Sequence, residues 1–188
     1  MNDLIRCGWC GDDPVYTAYH DDEWGVPVYD GRALWEKLIL DGFQAGLSWI
    51  TILKRRDNFI KAFDGFDPIK IAAYDDNDIE RLMNDIGIIR NRLKIVATIK
   101  NAQIYLDIET EKEGAFSELM WSFTGGEIKK NKIESMSDLP TQSIESAAMS
   151  KDLKKRGFKF CGPTICYAFM EAVGIINDHL VTCHRHGK

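Results

Sequence analysis

The stretch AYHDDEWGVP, residues 18 to 27, sets His20 beside Asp21, Asp22 and Glu23 and between the aromatic side chains of Tyr19 and Trp24. Such residues suit a hydrolytic metal site, an acid/base pair or a structural ion. An open hydrolytic site needs converging ligands, yet neighbours on a helix point apart, and the sequence holds no second cluster of acids and histidines. A closed ion site is the alternative. His20 lies thirteen positions after Cys7, and NDHLVTCHRH (177–186) sets His179 four positions before Cys183, the spacing at which two residues share a helix face. Together the pairs make a Cys2His2 set of the kind that holds structural zinc. About 160 residues separate them, His184 and His186 offer competing ligands, and a cysteine such as Cys7 also serves as a small buried apolar residue, so both readings stand.

Aromatic residues crowd the same region: Trp9, Tyr16, Tyr19, Trp24, Trp35 and Trp49. Planar rings can line a slot for a flat or cationic ligand while one carboxylate orients it, and the acids at hand are Asp41 and Asp21 to Glu23. Core packing is the other use of such rings.

The elements that must position these groups are helical. In DGRALWEKLILDGF, Leu34, Trp35, Leu38 and Ile39 recur at helical spacing, with Gly42 as the expected stop. SWITILKRRDNFIKAF reads as a helix capped by Ser48 with Ile52, Phe59 and Phe63 on one side; Asp67 and Pro68 mark another start. NDIERLMNDIGIIRNRLKIVATIKNAQIYL reads as a helix, a turn at Gly87 and a longer helix whose buried face holds Ile95, Ile99, Ala102 and Leu106. Such a hairpin suits either plain helix packing or a phosphate held by backbone N–H groups, with Arg90, Arg92 and Lys94 alongside. The segment 124–143 reads as the longest loop, after which one helix stops at Gly157 and another runs from Pro163 to Gly174.

A chain of 188 residues can bury a core without staples, and no apolar run reaches the roughly 20 residues of a membrane helix. The expectation is a soluble cytoplasmic protein. Five cysteines without a secretory signal argue against a disulfide framework. A net charge of −5 argues against a nonspecific nucleic-acid coat, although LKRR (53–56), IRNRLK (89–94) and KDLKKRGFKF (151–160) form either one positive face or ordinary solvated helix surfaces.

Seven blocks carry a resemblance: RCGWC, DPVYTAYHDDEWGVP, DGFQAGLSWITILKRR, FDPIKIAA, IGIIRNRLKI, WSF and KDLKKRGFKFCGPTICYAFMEAVGIINDH. In this order, and across nearly the whole chain, they resemble the type I 3-methyladenine-DNA glycosylases. The resemblance implies an all-α, two-lobed fold of the helix-hairpin-helix glycosylase superfamily, one domain over residues 1–188, with the active site between the lobes. It implies a structural Zn2+ joining the chain ends through Cys7, His20, His179 and Cys183. It assigns a base pocket to Trp9, Tyr16, Tyr19, Asp41 and Trp49, with Asp41 and Tyr19 acting on the bound base. Gly46 and Leu47 fall beside the gap left in the DNA, and Gly87, Ile88, Arg90 and Arg92 fall on the phosphate-gripping hairpin.

The implied reaction is hydrolysis of the N-glycosidic bond to 3-methyladenine in alkylated duplex DNA, by a monomer that flips the nucleotide out and leaves an abasic site. One position departs from the family pattern. Asp41 stands where the family has glutamate, keeping the charge on a side chain one methylene shorter. A binder of alkylated DNA without excision, or with altered base preference, is the rival that this change suggests.

Overall fold

A computed structural model of the protein describes residues 4–187, so the first three residues and the last of the expected 1–188 domain lie outside it. Its ten α-helices are α1 (Pro14–Asp22), α2 (Gly31–Gln44), α3 (Trp49–Leu53), α4 (Arg56–Ala62), α5 (Pro68–Ala72), α6 (Asp76–Asn84), α7 (Arg92–Glu109), α8 (Ala115–Ser122), α9 (Ile144–Arg156) and α10 (Pro163–Ala172). The all-α expectation holds with one addition. Strand β1 (Lys129–Lys130) pairs in parallel with β2 (Ile176–Asn177), and an isolated bridge joins Ile133 to Leu180. The expected loop 124–143 is thereby pinned to the C-terminal segment. Among the described residues no helix is long and apolar enough to cross a membrane.

Local signals explain several boundaries. Asp67 caps α5 by accepting from the Ile69 and Lys70 N–H groups with Pro68 at the first helical position, and Gly157 ends α9 in the left-handed region at φ 102°. Two boundaries depart from the sequence expectation. Helix α2 does not stop at Gly42 but continues to Gln44, because Phe43, 1% exposed, is drawn into an aromatic cluster with Phe59 and Phe63. Burying such a ring contributes about 1.5–3 kcal/mol, more than glycine's helix penalty of about 1 kcal/mol. The segment after Ser48 is two helices rather than one, broken at Lys54 and Arg55, and the Ser48 hydroxyl pairs with Thr51 instead of capping.

Helix α2 is central. It packs against α3, α7, α8 and α10, while α5 and α6 lie on α7 and α9 on α10. Trp35, Phe59, Phe63, Phe66 and Phe116 are fully buried around it, and Ile95 and Ala102 on α7 have no exposed surface, as their spacing predicts; Leu106 is only half-buried.

Two contacts tie the late part of the chain to the rest. Gly174, at φ 73°, passes so close to the backbone of Val26 and Pro27 that a Cβ would stand 2.6 Å from their atoms. Glu145 on α9 holds Lys129 of β1 at 2.6 Å, and this bond lowers the Glu145 pKa from 4.5 to about 2. Gly174→Ala is expected to cost about 3 kcal/mol in urea unfolding, since the obstruction is backbone and the φ is unfavourable for alanine. The Glu145 contribution is complete above about pH 4.5 and lost as pH falls towards 2. Glu145→Gln should therefore lower stability at neutral pH by about 1 kcal/mol, after discounting for the exposed lysine, and flatten the acid limb of the stability profile.

Candidate active site

The aromatic residues of the N-terminal segment do converge. Trp9 sits in a 3-10 turn, Gly8–Cys10, and Tyr16 and Tyr19 on α1. Asp13 caps α1 through the Val15 and Tyr16 N–H groups and also reaches Lys54 at 2.5 Å, which lays α1 beside α3 and its Trp49. Trp9 lies 5.0 Å from Tyr16, centroid to centroid, and Tyr19 lies 5.5 Å from Trp49. These four rings and Asp41 line one cavity of about 270 Å³. Drug-sized ligands occupy about 300–1,000 Å³, so this volume suits something the size of a single nucleobase. Trp35, in contrast, is a core residue with no exposed surface.

Asp41 is 1% exposed, and its Oδ2 has no hydrogen-bond partner in the protein; neither has the buried Trp49 indole N–H. Unpaired buried polar atoms facing a cavity are what a bound ligand satisfies. Asp41 Oδ1 accepts from Lys37, one turn earlier on α2. Burial raises the Asp41 pKa and lowers that of Lys37, and the attraction between them opposes both shifts. Burial also pushes the Tyr19 hydroxyl well above its ordinary pKa, so it stays protonated and serves as a contact rather than a base. Sequence reasoning missed Lys37 and also Glu171 on α10, which lines the cavity and which burial and nearby Asp178 push well up. It missed Leu139, Pro140 and Thr141, which reach the cavity from the loop that the β pairing pins.

Cys7, His20, His179 and Cys183 are all buried, and one ligand atom from each lies within 4.8 Å of the others. Cys183 Sγ is 3.5 Å from His20 Nε2 and 3.6 Å from His179 Nδ1, and Cys7 Sγ is 3.7 Å from His179 Nδ1. Tetrahedral zinc, with bonds of about 2.3 Å to sulfur and 2.0–2.1 Å to nitrogen, separates its S and N ligands by about 3.5 Å. The donor set fits. The other ring nitrogens are engaged too: His20 Nδ1 with Asp21 at 2.8 Å, His179 Nε2 with the Trp24 carbonyl at 3.2 Å. Backbone N–H groups of Leu180 and Arg185 point at Cys7 and Cys183 sulfur, each at 3.4 Å. Burial raises the Cys7 pKa to about 12 and lowers that of His179 to about 4, so the imidazole is neutral and free to ligate, and a divalent ion held there would stabilise the thiolates that burial disfavours.

The expected helical spacing of His179 and Cys183 is not the reason they meet. Residues 178–187 form no helix, and the turn after β2 brings the two together. His184 and His186 bond the Ile5 and His179 carbonyls instead. Asp21 is a support rather than a ligand, and the Arg6 guanidinium holds its pKa at about 2.

Just past the C-terminal end of α2, Gly46 turns at φ 85° and leaves Leu47 42% exposed. Lys94 departs from the phosphate-facing expectation: it is 7% exposed and donates to the Phe43 and Ala45 carbonyls at the end of α2. It thus braces the Gly46–Leu47 turn. The hairpin turn between α6 and α7 is as expected. The Gly87 N–H donates to Asp85 at 2.7 Å, and a Cβ there would lie 3.1 Å from Asn58. Arg90 is exposed, Arg92 pairs with Glu80, and Ile88 is buried with its N–H donating to the Asp85 carbonyl within the turn.

The methyladenine glycosylase family profile matches residues 9–186. This chain belongs to the methyladenine glycosylase family. DNA-3-methyladenine glycosylase 1 of Escherichia coli K12 is 52% identical to it over 180 residues, 96% of each chain. The DNA-3-methyladenine glycosylase of Haemophilus influenzae Rd is 47% identical over 178 residues, 95% of this chain and 96% of the relative. A solved structure of the Staphylococcus aureus 3-methyladenine DNA glycosylase I, determined for its recognition of 3-methyladenine, superposes with a TM-score of 0.93 at 42% identity and covers 98% of both chains. As a member of this family the chain is a DNA glycosylase.

Proposed function

We propose that this protein removes 3-methyladenine from alkylated duplex DNA by hydrolysing the bond between the base and C1′ of its sugar, leaving an abasic site. The observation that carries the reading is the buried Asp41 carboxylate, with one free oxygen, at the wall of a nucleobase-sized aromatic cavity. Methylation at N3 makes the base cationic in DNA. The C1′–N9 bond breaks with its electron pair going to N9, which discharges the base; water adds to C1′ and gives a proton to solvent. A leaving group this good needs holding more than proton transfer.

Extrusion of the nucleotide costs a few kcal/mol, least for a damaged base. Stacking against Trp49 and the tyrosines offsets it by roughly 1–3 kcal/mol per base but tells bases apart poorly. Asp41 supplies identity by accepting an N–H on the adenine edge, and its negative charge favours the cation. Leu47, exposed on its turn, fills the gap in the stack. The α6–Gly87–α7 hairpin grips phosphate as in the helix-hairpin-helix superfamily, through backbone N–H groups and Arg90, and the DNA lies in the cleft between two lobes. Cys7, His20, His179 and Cys183 would hold a zinc ion, which would fix the N-terminal aromatic segment to the C-terminal segment and so support the cavity from behind. The names of the relatives favour excision over the rival of a silent binder.

Two measurements test this. Asp41→Asn should lower release of 3-methyladenine from methylated DNA by about 10- to 100-fold, the worth of a charged hydrogen bond, while circular dichroism shows the helices retained; undiminished release sinks the recognition role. Elemental analysis should find one zinc per chain, and chelation should lower the melting temperature by about 10 °C or more, since 1 kcal/mol moves a domain of this size by about 2–4 °C. An unchanged melt speaks against the ion.

A further inference from the structure

Lys37 already holds what the lesion is to take. Its ammonium is paired with Asp41 and lies 3.9 Å from the centroid of the Trp49 ring, so one cation covers both the carboxylate and the aromatic face. Asp41 is 1% exposed and the Lys37 side chain 16%, so little water shares the pair. Lys37 also lines a second cavity, of about 370 Å³, which shares Tyr19 and Trp49 with the first and carries Asp22, Glu23 and Glu36 on its wall, Glu23 paired with Arg56 and Glu36 with Arg32. A flexible four-carbon stem can therefore withdraw the ammonium from Asp41 into a space whose three acids, Asp22, Glu23 and Glu36, face only the two arginines Arg32 and Arg56.

We propose that Lys37 is an internal counter-ion which the damaged base must replace at Asp41 and Trp49, and that this exchange makes the pocket select for positive charge and expel its product. The inference rests on the glycosylase reading given above. A cationic base substitutes one positive charge for another, so Asp41 stays compensated. A neutral adenine that displaces Lys37 leaves the carboxylate buried without a cation, which is strongly unfavourable. Glycosidic cleavage discharges the base, and from that moment Lys37 is the better partner for Asp41. Specificity here is thus built partly on a competitor for the site.

The test uses two small probes in calorimetry or in inhibition of excision: neutral 3-methyladenine, and the fixed cation 3,9-dimethyladeninium, whose 9-methyl stands for C1′. The wild-type protein should bind the cation at least tenfold more tightly; equal affinities overturn the proposal without recourse to any variant. In Lys37→Met a carboxyl group 1% exposed loses its paired cation, and burial then favours its neutral form, so the neutral base strands no charge: its affinity should rise tenfold or more and the gap between probes should close. Lys37→Arg, which keeps the cation, should restore the gap. An unchanged ratio in Lys37→Met, or equal weakening of both probes, indicates a merely structural pair. Release of 3-methyladenine from methylated DNA by the wild type is measured alongside. Its absence defeats the glycosylase reading, whereas normal release with unaltered charge selectivity defeats only the role of Lys37.

Discussion

The meeting of the chain's two end segments at Cys7, His20, His179 and Cys183 is the constraint on which the cavity depends. Trp9 and the tyrosines of α1 contribute walls to a pocket whose other side belongs to α2, α3 and α10, yet α1 is a nine-residue helix with only Tyr19 and His20 buried. Such a short element has little hydrophobic area with which to fix itself. Contacts within the cluster, such as Cys183 Sγ to His20 Nε2 at 3.5 Å, add to that packing. His20 sits on α1 one position after Tyr19, so orienting its ring also orients the tyrosine, and Asp21 with Arg6 sets that ring from behind.

Inside the cavity the governing issue is charge taken out of water. A carboxylate as buried as Asp41 resists ionisation unless a cation is near, and Lys37 supplies one from the preceding turn. Because the pair is neutral as a whole, the pocket costs less to maintain, while Oδ2 stays without a hydrogen-bond partner in the protein. Lys37 reaches Asp41 because residues four apart share a helix face.

What could be read in the sequence followed how local the cause was. The Asp67–Pro68 start, the Gly157 stop and the Gly87 turn each arise from a few adjacent residues, and each stands in the structure. The continuation of α2 through Gly42 depends on Phe59 and Phe63, and the β1–β2 pairing joins segments nearly fifty positions apart. Neither is visible from a window of neighbours. The four clustered Cys and His residues were nameable chiefly through the ordered family blocks; the helical spacing of His179 and Cys183 was a wrong reason for a convergence made by a turn. Lys37 gives no signal and Lys94 reads as phosphate-facing, because a lysine on a helix looks solvated until its neighbours in space are known.

Cys7 and His179 stand 172 positions apart in sequence yet touch. On a ribosome, Trp9, Tyr16 and Tyr19 are made about 160 residues or more before His179, and their apolar faces stay bare until that partner segment follows. The N-terminal segment is therefore the portion of a nascent or truncated chain most open to proteases and to clumping, and an interrupted synthesis forfeits the pocket although most helices have already formed.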